Sequence, residues 1–95
     1  MINQKRHELV SAMITRERNR QEALRVAGRF AFTLDDPKLS ESCAVLCIVE
    51  EVGETARNIL SRLGLVQDGE PKDEMLLGEL VHVAALASAM AERYV

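Results

Sequence analysis

Three glutamates packed into two helical turns, and a Glu/His couple further along, are the residues of this chain whose types and spacing could do chemistry. Glu50, Glu51 and Glu54 fall within residues 48–57, while Glu79 and His82 lie inside the most apolar stretch, Leu76 to Ala91. Carboxylates are hard oxygen donors suited to a divalent cation, which can neutralise phosphate oxygens and activate a bound water. A neighbouring carboxylate can accept the proton that such a water gives up. Glu51 and Glu54 are spaced i,i+3, as are Glu79 and His82, so each pair occupies one face of a helix.

For those faces to meet, two helices must lie side by side in opposite directions. Gly64 predicts the end of one near Leu63, Pro71 predicts the start of the next near Lys72, and so short a connection makes an antiparallel pair. At about 1.5 Å of rise per residue, Glu54 lies about 14 Å before the end of the first and Glu79 about 11 Å after the start of the second. For Glu51 and His82 the corresponding distances are about 18 Å and 15 Å. The expected arrangement is two rungs, Glu54 beside Glu79 and Glu51 beside His82. Glu79 and His82 share a face with Met75, Val83, Leu86 and Met90, so this carboxylate is expected in an apolar layer, where it needs a cation, a proton or a dense set of hydrogen bonds. The competing reading has Glu79 neutralised by an arginine of the N-terminal helix and His82 a satisfied core histidine. The matched heights favour a divalent cation.

The scaffold implied is all-α. Ninety-five residues make one domain, spanning 1–95, and the two prolines, few aromatics and apolar residues at helical spacing leave no room for a sheet. A long first helix is expected over residues 3–32. Its polar middle, Thr15 to Glu22, reads either as a solvated turn of one helix or as a break between two, and its arginines are candidates for phosphate recognition. Thr33 to Pro37 reads as a connection, with Asp36 as N-cap and Pro37 at the first position of the second helix. That helix carries its apolar stripe on Val45, Ile48, Val49, Val52, Ala56, Ile59, Leu60 and Leu63. Glu50, Glu51 and Glu54 lie largely off the stripe, so they are either solvated or line a cleft covered by the third helix or a second subunit. Gly53 costs the helix about 1 kcal/mol relative to Ala. The third helix, from Lys72 to Arg93, is apolar nearly all round, which predicts a homodimer or dimer of dimers built on the second and third helices.

Charge is divided unevenly. Residues 1–34 hold seven Lys/Arg against three Asp/Glu and residues 35–95 five against twelve, so the acidic part contains the proposed site. No nucleic-acid motif and no interleaved aromatics accompany the basic part, so neither DNA nor RNA is an expected partner. Cys43 and Cys47, one turn apart, read as small buried thiols of a reducing compartment. With no signal peptide and no uncharged run long enough for a bilayer, a soluble cytoplasmic protein without membrane contact is expected.

Glu50-Glu51-Val52-Gly53-Glu54, followed by Glu79-Leu80-Val81-His82, resembles the EExxE and ExxD motifs of the MazG-like all-α nucleotide pyrophosphohydrolases, relatives of the dimeric all-α dUTP pyrophosphatases. The resemblance covers roughly the second and third helices. It implies helix pairs that oligomerise into a bundle, and hydrolysis of a nucleoside triphosphate to monophosphate and pyrophosphate with Mg²⁺. Carried over residue by residue, Glu51, Glu54 and Glu79 are the implied metal ligands, and Glu50 is a further ligand or the group orienting the attacking water. His82 stands where the family has Asp. Imidazole is a poor partner for Mg²⁺ and a better one for Mn²⁺, so activity with Mn²⁺ at least equal to that with Mg²⁺ is expected.

Two other functions use the same residues. Glu-x-x-His on one helix with a glutamate from a neighbour, doubled by a two-fold axis, is the ligand set of di-iron carboxylate bundles. The other is a catalytically inactive helical interaction module whose glutamates are simply solvated. Base and sugar specificity, the number of metals per site and dimer versus tetramer are not encoded legibly in the sequence.

Overall fold

A computed structural model describes residues 1–66 and 73–95. Their regular structure is helical, with no strand among the described residues: α1 over Gln4–Val26, α2 over Glu41–Arg62, α3 over Asp73–Ala91 and a 3-10 turn over Glu92–Tyr94. Helix α1 starts where the Asn3 side chain accepts from the Arg6 N–H at 3.1 Å, and α2 where the Ser40 hydroxyl accepts from the Cys43 N–H at 3.1 Å. Each cap satisfies one of the N–H groups a helix leaves unpaired at its start.

Both helices end in the same way. Gly28 and Gly64 have φ of 76° and 74°, the left-handed region that favours glycine. The Arg29 N–H then reaches Leu24 O at 2.8 Å and the Leu65 N–H reaches Leu60 O at 2.9 Å, closing the last turn. The expected end of the second helix is therefore met, but the first stops six residues before Phe32. The apolar spacing of Ala27, Phe30 and Ala31 continues past a glycine whose backbone has already turned the chain.

The second helix also starts later than Pro37. Asp36 caps a turn instead: its Oδ1 accepts from the Lys38 N–H at 2.9 Å and its carbonyl from the Leu39 N–H at 3.1 Å. Segment 27–40 is thus a wall with its own packing. Leu34 is buried with Ala44 and Ala89, and Phe32, Leu39, Cys47, Ile48, Leu86 and Met90 close around them. The expected turn from Gly64 to Pro71 and the start at Lys72 lie partly outside the described residues.

Helix α3 packs against both α1 and α2, which do not pack on each other. Its small residues Ala85 and Ala89 and its Val81 are buried, so the neighbouring helices approach closely. At one end Arg62 of α2 bonds Asp73 of α3, and at the other the Tyr94 hydroxyl donates to Glu41 at the start of α2. Arg93 donates to Leu39 O at 2.7 Å, and Arg18 of α1 makes a two-pronged pair with Glu92. By length and composition alone, segment Asp73–Tyr94 is apolar enough to cross a membrane, charged residues included. In this structure it is the helix between two others.

Candidate functional site

The surfaces that α1 and α2 turn inward carry polar residues among the apolar ones. On α1 the residues most enclosed are Glu17 and Gln21, each 8% exposed, whereas Leu9 and Val10 face solvent. Ile14, Glu17, Gln21 and Leu24 follow one another at spacings of three, four and three, so two polar residues occupy the middle of the inward stripe between two apolar ones. The polar middle of α1 is not a break but part of one continuous helix, solvated at Thr15, Arg16, Asn19, Arg20 and Glu22, with Glu17 and Gln21 turned inward. On α2 the enclosed and half-enclosed series runs Ala44, Ile48, Glu51, Thr55 and Asn58.

These faces bring Glu17 and Glu51 to opposite sides of the His82 imidazole. Nε2 lies 3.6 Å from Glu17 Oε1 and Nδ1 lies 3.8 Å from Glu51 Oε2, electrostatic range but longer than hydrogen bonds. The expected rung of Glu51 beside His82 is therefore formed, with a third member from α1 that the spacing argument did not supply. Glu17 is held by Arg20, through two bonds of 2.7 Å, and by the Gln21 amide at 2.9 Å. Arg20 of the N-terminal helix thus engages Glu17. The signal for this trio was in the sequence: Glu17, Arg20 and Gln21 are spaced i,i+3 and i,i+4, in phase with Ile14 and Leu24.

The two carboxylates on either side of His82 differ in acidity. Burial raises Glu17, but hydrogen bonds from Arg20 and Gln21 and the charges of His82 and Arg20 outweigh it, so its pKa falls below the ordinary carboxylate value. For Glu51 burial again raises the pKa, and the neighbouring Glu54 and Glu50 carboxylates raise it further against a smaller opposing pull from His82. A proton or cation is thus more welcome at Glu51 than at Glu17.

Two carboxylate oxygens, Glu51 Oε2 and Glu79 Oε2, are enclosed without a hydrogen-bond partner. Such oxygens are costly unless a proton or cation satisfies them. Glu50 and Glu54 are exposed on the same turns of α2. Among the described residues no three His, Cys, Asp or Glu side chains converge, as they stand, into a set that could hold a metal ion. The donors nevertheless fit a hard divalent cation in kind, and the orphaned oxygens of Glu51 and Glu79 are where one would be satisfied.

A cleft of about 420 Å³ opens between α1, α2, α3 and the 27–40 wall. Glu17, Arg20, Glu50, Glu51 and His82 line its polar side, and Arg29, Phe30 and Phe32 its wall, while Glu54 and Glu79 are not among its lining residues. A cavity of this size is in the range that takes a small organic ligand. The combination offers carboxylates for a cation, guanidinium groups for anionic oxygens and aromatic rings for a flat apolar moiety. Compared with family models, curated proteins and solved structures, the chain has no match.

Proposed function

We propose that the chain is a divalent-cation-dependent nucleoside triphosphate pyrophosphohydrolase, releasing a nucleoside monophosphate and pyrophosphate. The observation that carries this reading is the cleft in which Glu50 and Glu51 of α2 stand across from His82, with Arg20 and Arg29 in the same lining. Its scaffold is an antiparallel pair, α2 and α3, which the Arg62–Asp73 and Glu41–Tyr94 contacts at opposite ends support, flanked by the long α1. Glu51, Glu54, Glu79 and His82 would hold the cation. Once bound, that ion supplies charge for the phosphate oxygens and acidity for a water.

The chain's own groups do the rest. Glu50, exposed at the cleft, orients the attacking water and accepts its proton. Arg20 and Arg29 bind phosphate oxygens, and Arg20 is kept in place by Glu17. Phe30 and Phe32 offer faces on which a base stacks. His82, between Glu17 and Glu51, replaces one negative charge of a purely carboxylate site and shifts preference from Mg²⁺ towards Mn²⁺.

Incubation with ribo- and deoxyribonucleoside triphosphates, with products separated by anion-exchange chromatography, tests the reading. Cation-dependent monophosphate and pyrophosphate are expected; absence of both with Mg²⁺ and Mn²⁺ would refute it. The di-iron alternative uses Glu79 and His82 with Glu51, and aerobic Fe²⁺ incubation followed by visible spectroscopy separates it from hydrolysis.

A further inference from the structure

The two sides of the His82 ring are chemically unlike. On the Nε2 side stands Glu17, 8% exposed and held by three hydrogen bonds: Oε1 accepts from Arg20 Nε at 2.7 Å, and Oε2 accepts from Arg20 Nη2 at 2.7 Å and from Gln21 Nε2 at 2.9 Å. A carboxylate has about four acceptor sites, so Oε1, 3.6 Å from Nε2, keeps room for one further N–H. On the Nδ1 side stands Glu51, whose Oε2 is enclosed without a hydrogen-bond partner.

A divalent ion has no place on the first side, where the acceptors are largely taken and the Arg20 guanidinium repels it. The second side offers an orphaned oxygen and a ring nitrogen 3.8 Å apart. Ligand bonds of about 2.1 Å let a single ion touch two atoms separated by this much or less.

We propose that Glu17 is a positioning residue for His82: it takes the Nε2–H of the neutral imidazole, so that the Nδ1 lone pair faces Glu51 Oε2 and the two atoms form one edge of the cation site. A neutral imidazole carries a single ring proton, and the hydrogen bond made by one nitrogen decides which of the two is left to bind a metal. A carboxylate placed behind a histidine in this way orients the ring and raises its basicity as a ligand. Arg20 and Gln21 fix Glu17, Glu17 fixes the ring, and Glu17 itself never touches the ion. This gives the two polar residues on the inward stripe of α1 a purpose that packing does not supply. The role rests on the cation site proposed above and is independent of the substrate.

Nitrogen NMR and a double-mutant cycle test it. His7, exposed near the start of α1, is the one other histidine, so a His7→Asn chain carries His82 as its sole imidazole. Saturated with Zn²⁺, that ring is expected to be coordinated through Nδ1 and protonated at Nε2. Mn²⁺ affinity, read by electron paramagnetic resonance, is expected to fall at least about tenfold in Glu17→Gln. Added to His82→Ala, the same substitution is expected to change affinity by less than about twofold, because the group it acts through is gone. A residue that only held the fold would weaken both backgrounds alike. Coordination through Nε2, undiminished Mn²⁺ affinity in Glu17→Gln, or the same loss with and without the imidazole would overturn the proposal. Where a variant fails to fold, or His82→Ala binds too weakly to titrate, the ring nitrogens of His82 in the Zn²⁺-loaded chain decide. A native chain that binds neither Zn²⁺ nor Mn²⁺ overturns the cation site and this role together, whereas binding through Nε2 overturns the role of Glu17 and leaves the site standing.

Discussion

Glu17 and Glu51 approach one imidazole from opposite sides and pull the pH dependence of stability in opposite directions. A carboxylate whose folded pKa is lowered, Glu17, contributes stability above its unfolded value near 4.5, and the contribution is lost as pH falls through the folded pKa. Glu51 is raised, so its ionisation opposes folding, fully above its folded pKa and not at all well below 4.5. In EDTA, Glu51→Gln is therefore predicted to melt higher than the native chain at pH 7, with the difference shrinking to nothing as the buffer is taken below the ordinary glutamate range. Glu17→Ala is predicted to lose roughly 1–3 kcal/mol at pH 7, because it strips a buried acceptor from Arg20 and Gln21. That corresponds to about 4–8 °C in melting temperature per kcal/mol. Thermal melts of both variants across pH decide the matter, and a Glu51→Gln variant that melts lower at pH 7 without metal would contradict the assigned direction.

At the scale of elements, glycine means different things at different positions. Gly28 and Gly64 end helices with positive φ, and Gly28→Ala is predicted to destabilise by about 1 kcal/mol, measured by urea denaturation. Gly53 is helical and open to solvent in the single chain. Gly53→Ala is predicted to stabilise α2 by up to about 1 kcal/mol, measured by urea denaturation, since a Cβ there meets nothing within 4 Å and helix propensity decides. The end of α2 was legible because Gly64 follows the last periodic residue. The end of α1 was not, because Ala27, Phe30 and Ala31 keep the apolar period going past Gly28, and local backbone geometry prevailed over pattern. Likewise Asp36-Pro37 resembles a helix start, yet Asp36 spends its carboxylate on a turn and Ser40 caps α2.

The whole molecule inverts the usual relation between pattern and burial. Periodicity locates the α2 stripe but not the direction it faces: in the single chain α2 turns Ala44, Cys47 and Ile48 into the core with Leu86, Ala89 and Met90, encloses Glu51, Thr55 and Asn58 further along, and leaves its valines exposed. Polar residues can line an interface only if they are partnered, and Glu17 with Arg20 and Gln21 is such a cluster, whereas Glu51 and Glu79 keep an unpartnered oxygen each. Spacing alone anticipated Glu51 beside His82. The phase of Glu17 and Gln21 with Ile14 and Leu24 marks them as inward, but spacing does not give Glu17 its place beside His82, because a contact between α1 and α3 depends on the wall at 27–40, whose shape no periodicity encodes. Under the proposed hydrolysis, turnover with Mn²⁺ at least equal to that with Mg²⁺ is predicted from His82 at this position, and a metal titration of pyrophosphate release checks it; clearly faster turnover with Mg²⁺ would count against a role for the imidazole. The account depends above all on the α2 carboxylates, across from His82, being where a divalent ion is held. Titration of the free protein with Mn²⁺, followed by electron paramagnetic resonance, measures this without reference to any substrate. Saturable binding by the native chain, weakened at least about tenfold in Glu51→Gln, is predicted; no binding, or equal binding by the two proteins, would contradict it.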